Sequence, residues 1–398
     1  MSSLLQRFSG KRVRLLFLAM VVLIAVAAVA ATSAFGEGSA TKRATSGSKA
    51  GRSGSSLPDL SYVAKQIKKY EKLPHFTSPG KPFKASKLKG KKMFEIPDTD
   101  TIPWVVMIES QMQKIAKRYG IKLVLNHNQG QVSQWVQAMD IATASHPNVI
   151  DLFGPTVSEL KPQIAAARHA HIKVVMSHET DRGTSKPSYV NAQMPAAYSV
   201  AAKLEADWVT LKTKGKADVL ILNSADYPPS DGIVRTIQKE FKKRCGSGCK
   251  TTVMNVSIAS WGTGIQPAVQ SALLKDPNIN YMIPIYDGMM QFVEPAIQTA
   301  GRIGKVHVAT YNATPFVLKM LRAGPTVTFD VGESLAVADG IMDVNMRLMA
   351  GLKPPLVEPY GLRVFTKANV GQTGNPPAPT KGYGSAEEKG YAKLWSGK

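Results

Sequence analysis

Asp98, Trp104, His178, Glu179, Tyr227, Trp261, Tyr286, Asp287, Asn312 and Asp330 are the side chains whose types and positions could recognise or transform a small molecule. Paired carboxylates among them could run glycoside hydrolysis if two faced each other across a bond, and Asp98, Glu179 and Asp287 are the candidates. The stretch "SHETD" at 177–181 crowds a serine, a histidine and two acids. Neighbours on an extended chain point to opposite sides, so it cannot form a Ser-His-Asp triad by itself. No G-x-S-x-G elbow, P-loop or G-x-G-x-x-G is found. Tryptophans, tyrosines and short polar side chains instead suit sugar recognition, because C–H ring faces stack on aromatics while hydroxyls need convergent donors and acceptors. Trp104 and Trp261 could sandwich a flat ligand, although Trp104 follows Pro103 at a helix start and could equally be core. In "IYDGMM" at 285–290, Tyr286 and Asp287 stand together where an apolar run ends. Asp287 suits a cap for the N–H groups of Gly288 to Met290. Asp330 stands beside Gly332, which allows close approach.

These residues follow apolar runs that alternate with amphipathic stretches. "KMFEI", "IKLVL", "NVIDLF" and "IKVVMS" read as strands, each followed by a helix, with a loop at 178–192 before a helix over 195–213. The rhythm restarts with "ADVLIL", "KTTVMNV", "YMIPI", "KVHVATY" and "TVTF". Such alternation implies βαβ units and parallel sheets. The expected class is α/β, two doubly wound parallel-sheet domains joined by a hinge. Residues 59–192 with 333–352 would form the first domain, and 193–332 with 353–366 the second. Residues 367–398 form a Gly- and Pro-rich tail with a loosely docked helix. In such sheets ligands bind outside the carboxyl ends of the strands, where all the candidates fall.

The charge is uneven. Of the net +22, +12 lies in the first hundred residues, which hold 18 Lys/Arg against 6 Asp/Glu. No nucleic-acid reader element accompanies it, so no nucleic-acid partner is expected; attraction to an anionic envelope surface explains it better. Arg7, Lys11, Arg12 and Arg14 precede an apolar run from Leu15 to Ala31 and small residues, the layout of a secretory signal over 1–35. Retention as an anchor is the alternative, and no cysteine near the exit offers a lipid site. Residues 36–58 read as a disordered basic linker. In an oxidising compartment Cys245 and Cys249 are expected to form a local disulfide. No metal site or cofactor is expected.

Residues 59 to 366 resemble the periplasmic sugar-binding proteins of the ribose-binding type, which serve ABC importers and have the type I periplasmic-binding-protein fold. The stretches that carry the likeness include "IPWVVMIESQMQKIAKRYGIKLVLNHNQGQVSQWVQAMDIA", "VIDLFGPTVSELKPQIAAARHAHIKVVMSHE", "DPNINYMIPIYDGMMQFVEPAIQTAG" and "TYNATPFVLKMLRAG". "AKQIKKYEKLP" is similar to the N-terminal helix of actinobacterial members. The resemblance implies a monomeric binding protein, not an enzyme, exported and read by a membrane permease. It places Trp104, Trp261 and Asp330 on ligand positions. Where the family commonly has Asp-Arg this chain has His178-Glu179, so a charge-assisted clamp on sugar hydroxyls is missing. Tyr286-Asp287 and Tyr311-Asn312 depart likewise, so a pocket with more aromatic and fewer ionic groups is expected. A membrane-tethered sensor domain of the same fold is the second expectation, a carbohydrate hydrolase the third.

Overall fold

The computed structural model describes residues 60–356 and 359–398; the expectations for the secretory segment and the basic linker lie outside them. The first sheet has five strands: β1 (Lys92–Pro97), β2 (Lys122–Leu125), β3 (Val149–Phe153), β4 (Lys173–Asp181) and β5 (Ala192–Ala196). All are parallel, in the order β2-β1-β3-β4-β5. The second contains β6 (Ala217–Asn223), β7 (Cys249–Asn255), β8 (Tyr281–Pro284), β9 (His307–Asn312), β10 (Val327–Glu333) and β11 (Leu362–Phe365). Its order is β7-β6-β8-β9-β10-β11, and β11 alone runs antiparallel. Both sheets therefore reverse their strand order beside the first strand, between β1 and β3 and between β6 and β8, where doubly wound folds bind ligands.

The helices are α1 (Leu60–Tyr70), α2 (Pro103–Tyr119), α3 (Val132–Ala144), α4 (Lys161–His169), α5 (Tyr198–Thr213) and α6 (Ser230–Arg244). They continue with α7 (Gln266–Lys275), α8 (Met290–Thr299), α9 (Pro315–Ala323), α10 (Ala336–Met349) and α11 (Ala386–Trp395). Proline in the first turn of α2, α4, α7 and α9 fixes the helical φ where no amide partner is needed. Gly120 ends α2 in the left-handed region that favours glycine. Strand alternation sends Phe94, Ile96, Ile150 and Leu152 into the core under α3 and α4. Met93, Val149 and Phe153 face the other way, into the core shared with α2 and α10.

Several expectations change. The loop assigned to 178–192 is shorter, because β4 continues to Asp181 and β5 begins at Ala192. The sequence of β5, "AQMPA", has a proline tolerable only at an edge, and β5 is the edge of its sheet. Helix α1, placed by sequence in the first domain, packs instead on α5 and β11 of the second lobe, with Tyr62 under the Arg244 guanidinium 3.5 Å from its ring centre. The tail helix α11 is docked firmly, not loosely: Tyr391, Leu394 and Trp395 are buried. Trp395 Nε1 donates to Asp343 Oδ1 at 2.7 Å. Glu387 accepts from Ser334 Oγ at 2.6 Å and Gly361 N at 2.7 Å, tying together two segments that flank the lobe crossing. Cys245 and Cys249 are joined by a disulfide, with Cα atoms 5.6 Å apart.

Candidate functional site

The carboxyl ends of both sheets meet around one cavity. From the first lobe it is lined by Asp98, Ile102, Trp104, Val105, Phe153 and His178; from the second by Tyr198, Tyr227, Ile258, Trp261, Tyr286 and Asn312. The walls stand close together, leaving about 30 Å3 for the centres of water molecules, enough for one or two waters. Ile102 of the first lobe lies near Gly288 of the second, and a side chain at Gly288 would meet the Trp261 ring at 2.9 Å. Glycine there lets the indole lie flat against the chain.

Trp104 opens α2 directly after Pro103, and its ring centre lies 4.6 Å from that of His178 and 5.7 Å from that of Phe153. Its Nε1 is buried and has no hydrogen-bond acceptor in the protein. That is an unpartnered donor in a cavity wall, a group whose burial is unfavourable until something accepts from it. Trp261 differs: it starts a π-helical turn, Trp261–Ile265, and donates from Nε1 to Ser224 Oγ at 2.8 Å, which fixes the ring. Tyr286 Oη and Ser230 Oγ are 3.1 Å apart. Tyr227 Oη donates to the His178 carbonyl at 3.0 Å, across the lobes.

Asp98 follows β1 and accepts from Thr99 N at 2.7 Å. Burial pushes its carboxyl up to about 7, partly offset by that bond. Gly154 (φ +98°) makes room for it: a Cβ there would lie 2.9 Å from Asp98 Cβ and 3.2 Å from Tyr227 Oη. His178, also in the left-handed region at φ 61°, has both ring nitrogens engaged with the protein. Nδ1 is 2.7 Å from Tyr198 Oη, and Nε2 is 3.1 Å from Glu333 Oε2. Glu333 also accepts from Tyr360 Oη at 2.8 Å. Burial alone would raise the Glu333 carboxyl, but His178 and the neighbouring hydroxyls hold it below the usual range, so Nε2 is the donor in this bond. His178 thus offers a ligand its ring face while its nitrogens tie the first lobe to the end of β10.

Three carboxylates grouped with the site by sequence do not line this cavity. Asp287 caps no helix of its own; its Oδ2 accepts from Thr314 N and Thr314 Oγ1, both at 2.6 Å. Asp330 Oδ1 accepts from Ala313 N at 3.0 Å. Together they hold a strained turn, with Asn312 at φ 122° and Ala313 at φ 50°, that ends β9. Burial first, and then their mutual repulsion, raises Asp330 well above the usual carboxylate range; burial lifts Asp287 to about 7. Glu179 points to a separate groove on the far side of Tyr198 and holds Val157 N through both oxygens at 3.3 Å. Sequence reasoning missed Tyr198, which reads as an ordinary helix residue. It also passed over Ile102, Val105 and Ile258, apolar residues beside a recognised aromatic. Among the described residues no group of three or more His, Cys, Asp or Glu could hold a metal ion, and no helix is long and apolar enough to cross a membrane.

Comparison with known proteins places this arrangement. Residues 95–351 match the periplasmic binding protein domain. Among solved structures, the chain is similar to a 5-methylthioribose transporter solute binding protein from Thermotoga lettingae, with 18% identity, TM-score 0.64, and 70% of this chain and 88% of that chain covered. It is similar to GanP, a glucose-galactose binding protein from Geobacillus stearothermophilus, with 18% identity, TM-score 0.62 and coverage of 71% and 99%. It is also similar to an ABC transporter solute binding protein from Agrobacterium vitis with bound allitol, with 19% identity, TM-score 0.62 and coverage of 71% and 98%. No curated protein matches the sequence. At these identities the structural likeness carries the fold, and the domain match spans more than half of the sequence. The chain belongs to the periplasmic binding protein domain family.

Proposed function

We propose that this protein is an extracytoplasmic solute-binding protein that closes two lobes on a small polar ligand, a sugar or related polyol, and delivers it to an ABC permease. The observation that carries the reading is the cavity itself. Two tryptophans, one per lobe, face it together with Asp98, Asn312 and three tyrosines, and the buried Trp104 Nε1 has no acceptor in the protein. Indole faces suit C–H ring faces, and the indole N–H, the carboxylate and the amide suit hydroxyls. Relatives of the same fold are described with sugars and a polyol, which supports this ligand class. Because the walls enclose so little room, entry requires the lobes to separate and capture requires them to close, a hinge motion that contacts from both lobes would drive. His178 and Glu333 join the lobes in this structure. Export and a monomeric state accompany the reading.

The test is thermal denaturation of the purified protein against a panel of pentoses, hexoses, their furanose-rich and deoxy relatives, and polyols. A ligand at a hundred times its Kd would stabilise by about 2.7 kcal/mol, a readily measured rise in Tm. The reading predicts that at least one member gives such a rise and that Trp104→Ala reduces it by about half or more. A panel without any shift would contradict it.

A further inference from the structure

The cavity has a neighbour. On the far side of Tyr198, the one side chain common to both linings, lies a groove with about 450 Å3 for water centres, against about 30 Å3 in the cavity. The two are also adjacent along the chain: His178 and Tyr227 line the cavity, while Glu179 and Pro228 line the groove. Both lobes contribute, Glu179 to Asp181 from the end of β4, and Pro228 to Lys239 from the turn before α6 and its first ten residues.

We infer that the groove is a second ligand subsite for a neutral hydroxylated unit, so that the natural ligand is disaccharide-sized, with one ring in the aromatic cavity and the other in the groove. This rests on the sugar-binding reading above and extends it. The lining decides the chemistry. Glu179 and Asp181 come from one wall, Arg235 and Lys239, one turn apart, from the other. An anionic substituent would meet the two carboxylates and a cationic one the two cations. A neutral polyol gives donors to the first pair and acceptors to the second. The groups have capacity to spare. Asp181 accepts from Ser199 N through Oδ1, and Glu179 holds Val157 N by one long, divided bond. Thr180 Oγ1 is buried without a partner. Pro228 and Pro229 supply an apolar face for ring C–H groups. The size agrees, since the groove falls within the roughly 300–1,000 Å3 of small-molecule sites and the cavity alone does not.

Calorimetric titration of the whole protein with matched pairs tests this: glucose against maltose and cellobiose, galactose against lactose and melibiose, and xylose against xylobiose. The expected result is that a disaccharide binds about tenfold or more tightly than either of its constituents. Thr236→Trp, which fills the groove from α6, and Arg235→Ala should each reduce that disaccharide to monosaccharide affinity without changing the monosaccharide's own. The Tm of each unliganded variant checks that it is folded. Equal affinity for mono- and disaccharides, or indifference of the disaccharide to both variants, would overturn the subsite and leave the sugar-binding reading standing. Binding of no sugar of either size would overturn both.

Discussion

At the scale of single residues, the strand exits divide according to where the side chain turns. Trp104, Trp261, Tyr227, Tyr286 and Asn312 turn into the cavity, whereas Asp287 and Asp330 turn back under the 312–314 turn. Both groups were readable from sequence as strand ends. What separates them is the backbone of Asn312 and Ala313, whose left-handed conformations no local pattern announces. Asp330→Asn keeps an acceptor for Ala313 N and should be tolerated. Asp330→Ala leaves that amide and the strained turn unsupported, and should reduce unfolding free energy by about 1–3 kcal/mol in denaturant titrations. Gly154 carries a sharper expectation. Gly154→Ala places a methyl against Asp98 and Tyr227 at a left-handed position, so it should destabilise by about 1–3 kcal/mol and weaken ligand binding together. A variant as stable and as active as the parent would refute this packing.

At the scale of elements, the central parallel strands were readable because both their faces are buried, so that "YMIP" is a continuous apolar run and "VIDLF" is interrupted only by Asp151. Of the four edge strands, β2 and β7 were readable but β5 and β11 were not. β5 is five residues with a proline, β11 four residues in antiparallel pairing, and neither has a distinctive pattern. Amphipathicity identified α1 as a helix with a buried face but could not say which lobe buries it. The tail is similar: its residues pack over both sides of the crossing, with Trp395 edge-on to Tyr119 of α2 and Glu387 holding Ser334 and Gly361. Removing residues 385–398 would expose the surface under Trp395 and release Asp343, and the Tm should fall by several degrees. Preservation of the parent Tm after that truncation would mean that the helix contributes little. The His178–Glu333 pair belongs to this scale too, because it joins β4 to the end of β10. Glu333→Ala leaves His178 Nε2 without its buried acceptor, and chemical denaturation should show a loss of about 3–5 kcal/mol.

At the scale of the whole molecule, the buried carboxyls set a pH dependence. Burial pushes Asp98, Asp151, Glu179 and Asp207 up to about 7 and Asp339 to about 8. A carboxyl whose pKa is raised on folding binds a proton in the native state that the unfolded chain has released, so stability falls as pH rises between the two values. Glu333, held low, works in the opposite sense below the ordinary carboxylate range. Thermal midpoints should therefore decline from about pH 5 to pH 8; a midpoint that climbs over that interval would contradict the burial of these groups. The two-lobe architecture was the most readable feature at this scale, since the restarted strand-helix rhythm needs no side-chain detail. The narrowness of the cleft was not, because it depends on how closely Ile102 approaches Gly288 across the lobes.

The central claim is that one ligand is held by both lobes at once. Calorimetric titration of the sugar or polyol found by thermal screening, with the parent protein, Trp104→Ala and Trp261→Ala, tests it most directly. Each tryptophan comes from a different lobe, so each substitution should weaken binding about tenfold or more, the equivalent of about 1.4 kcal/mol. Undiminished affinity in either variant would place the ligand on one lobe alone and contradict the account.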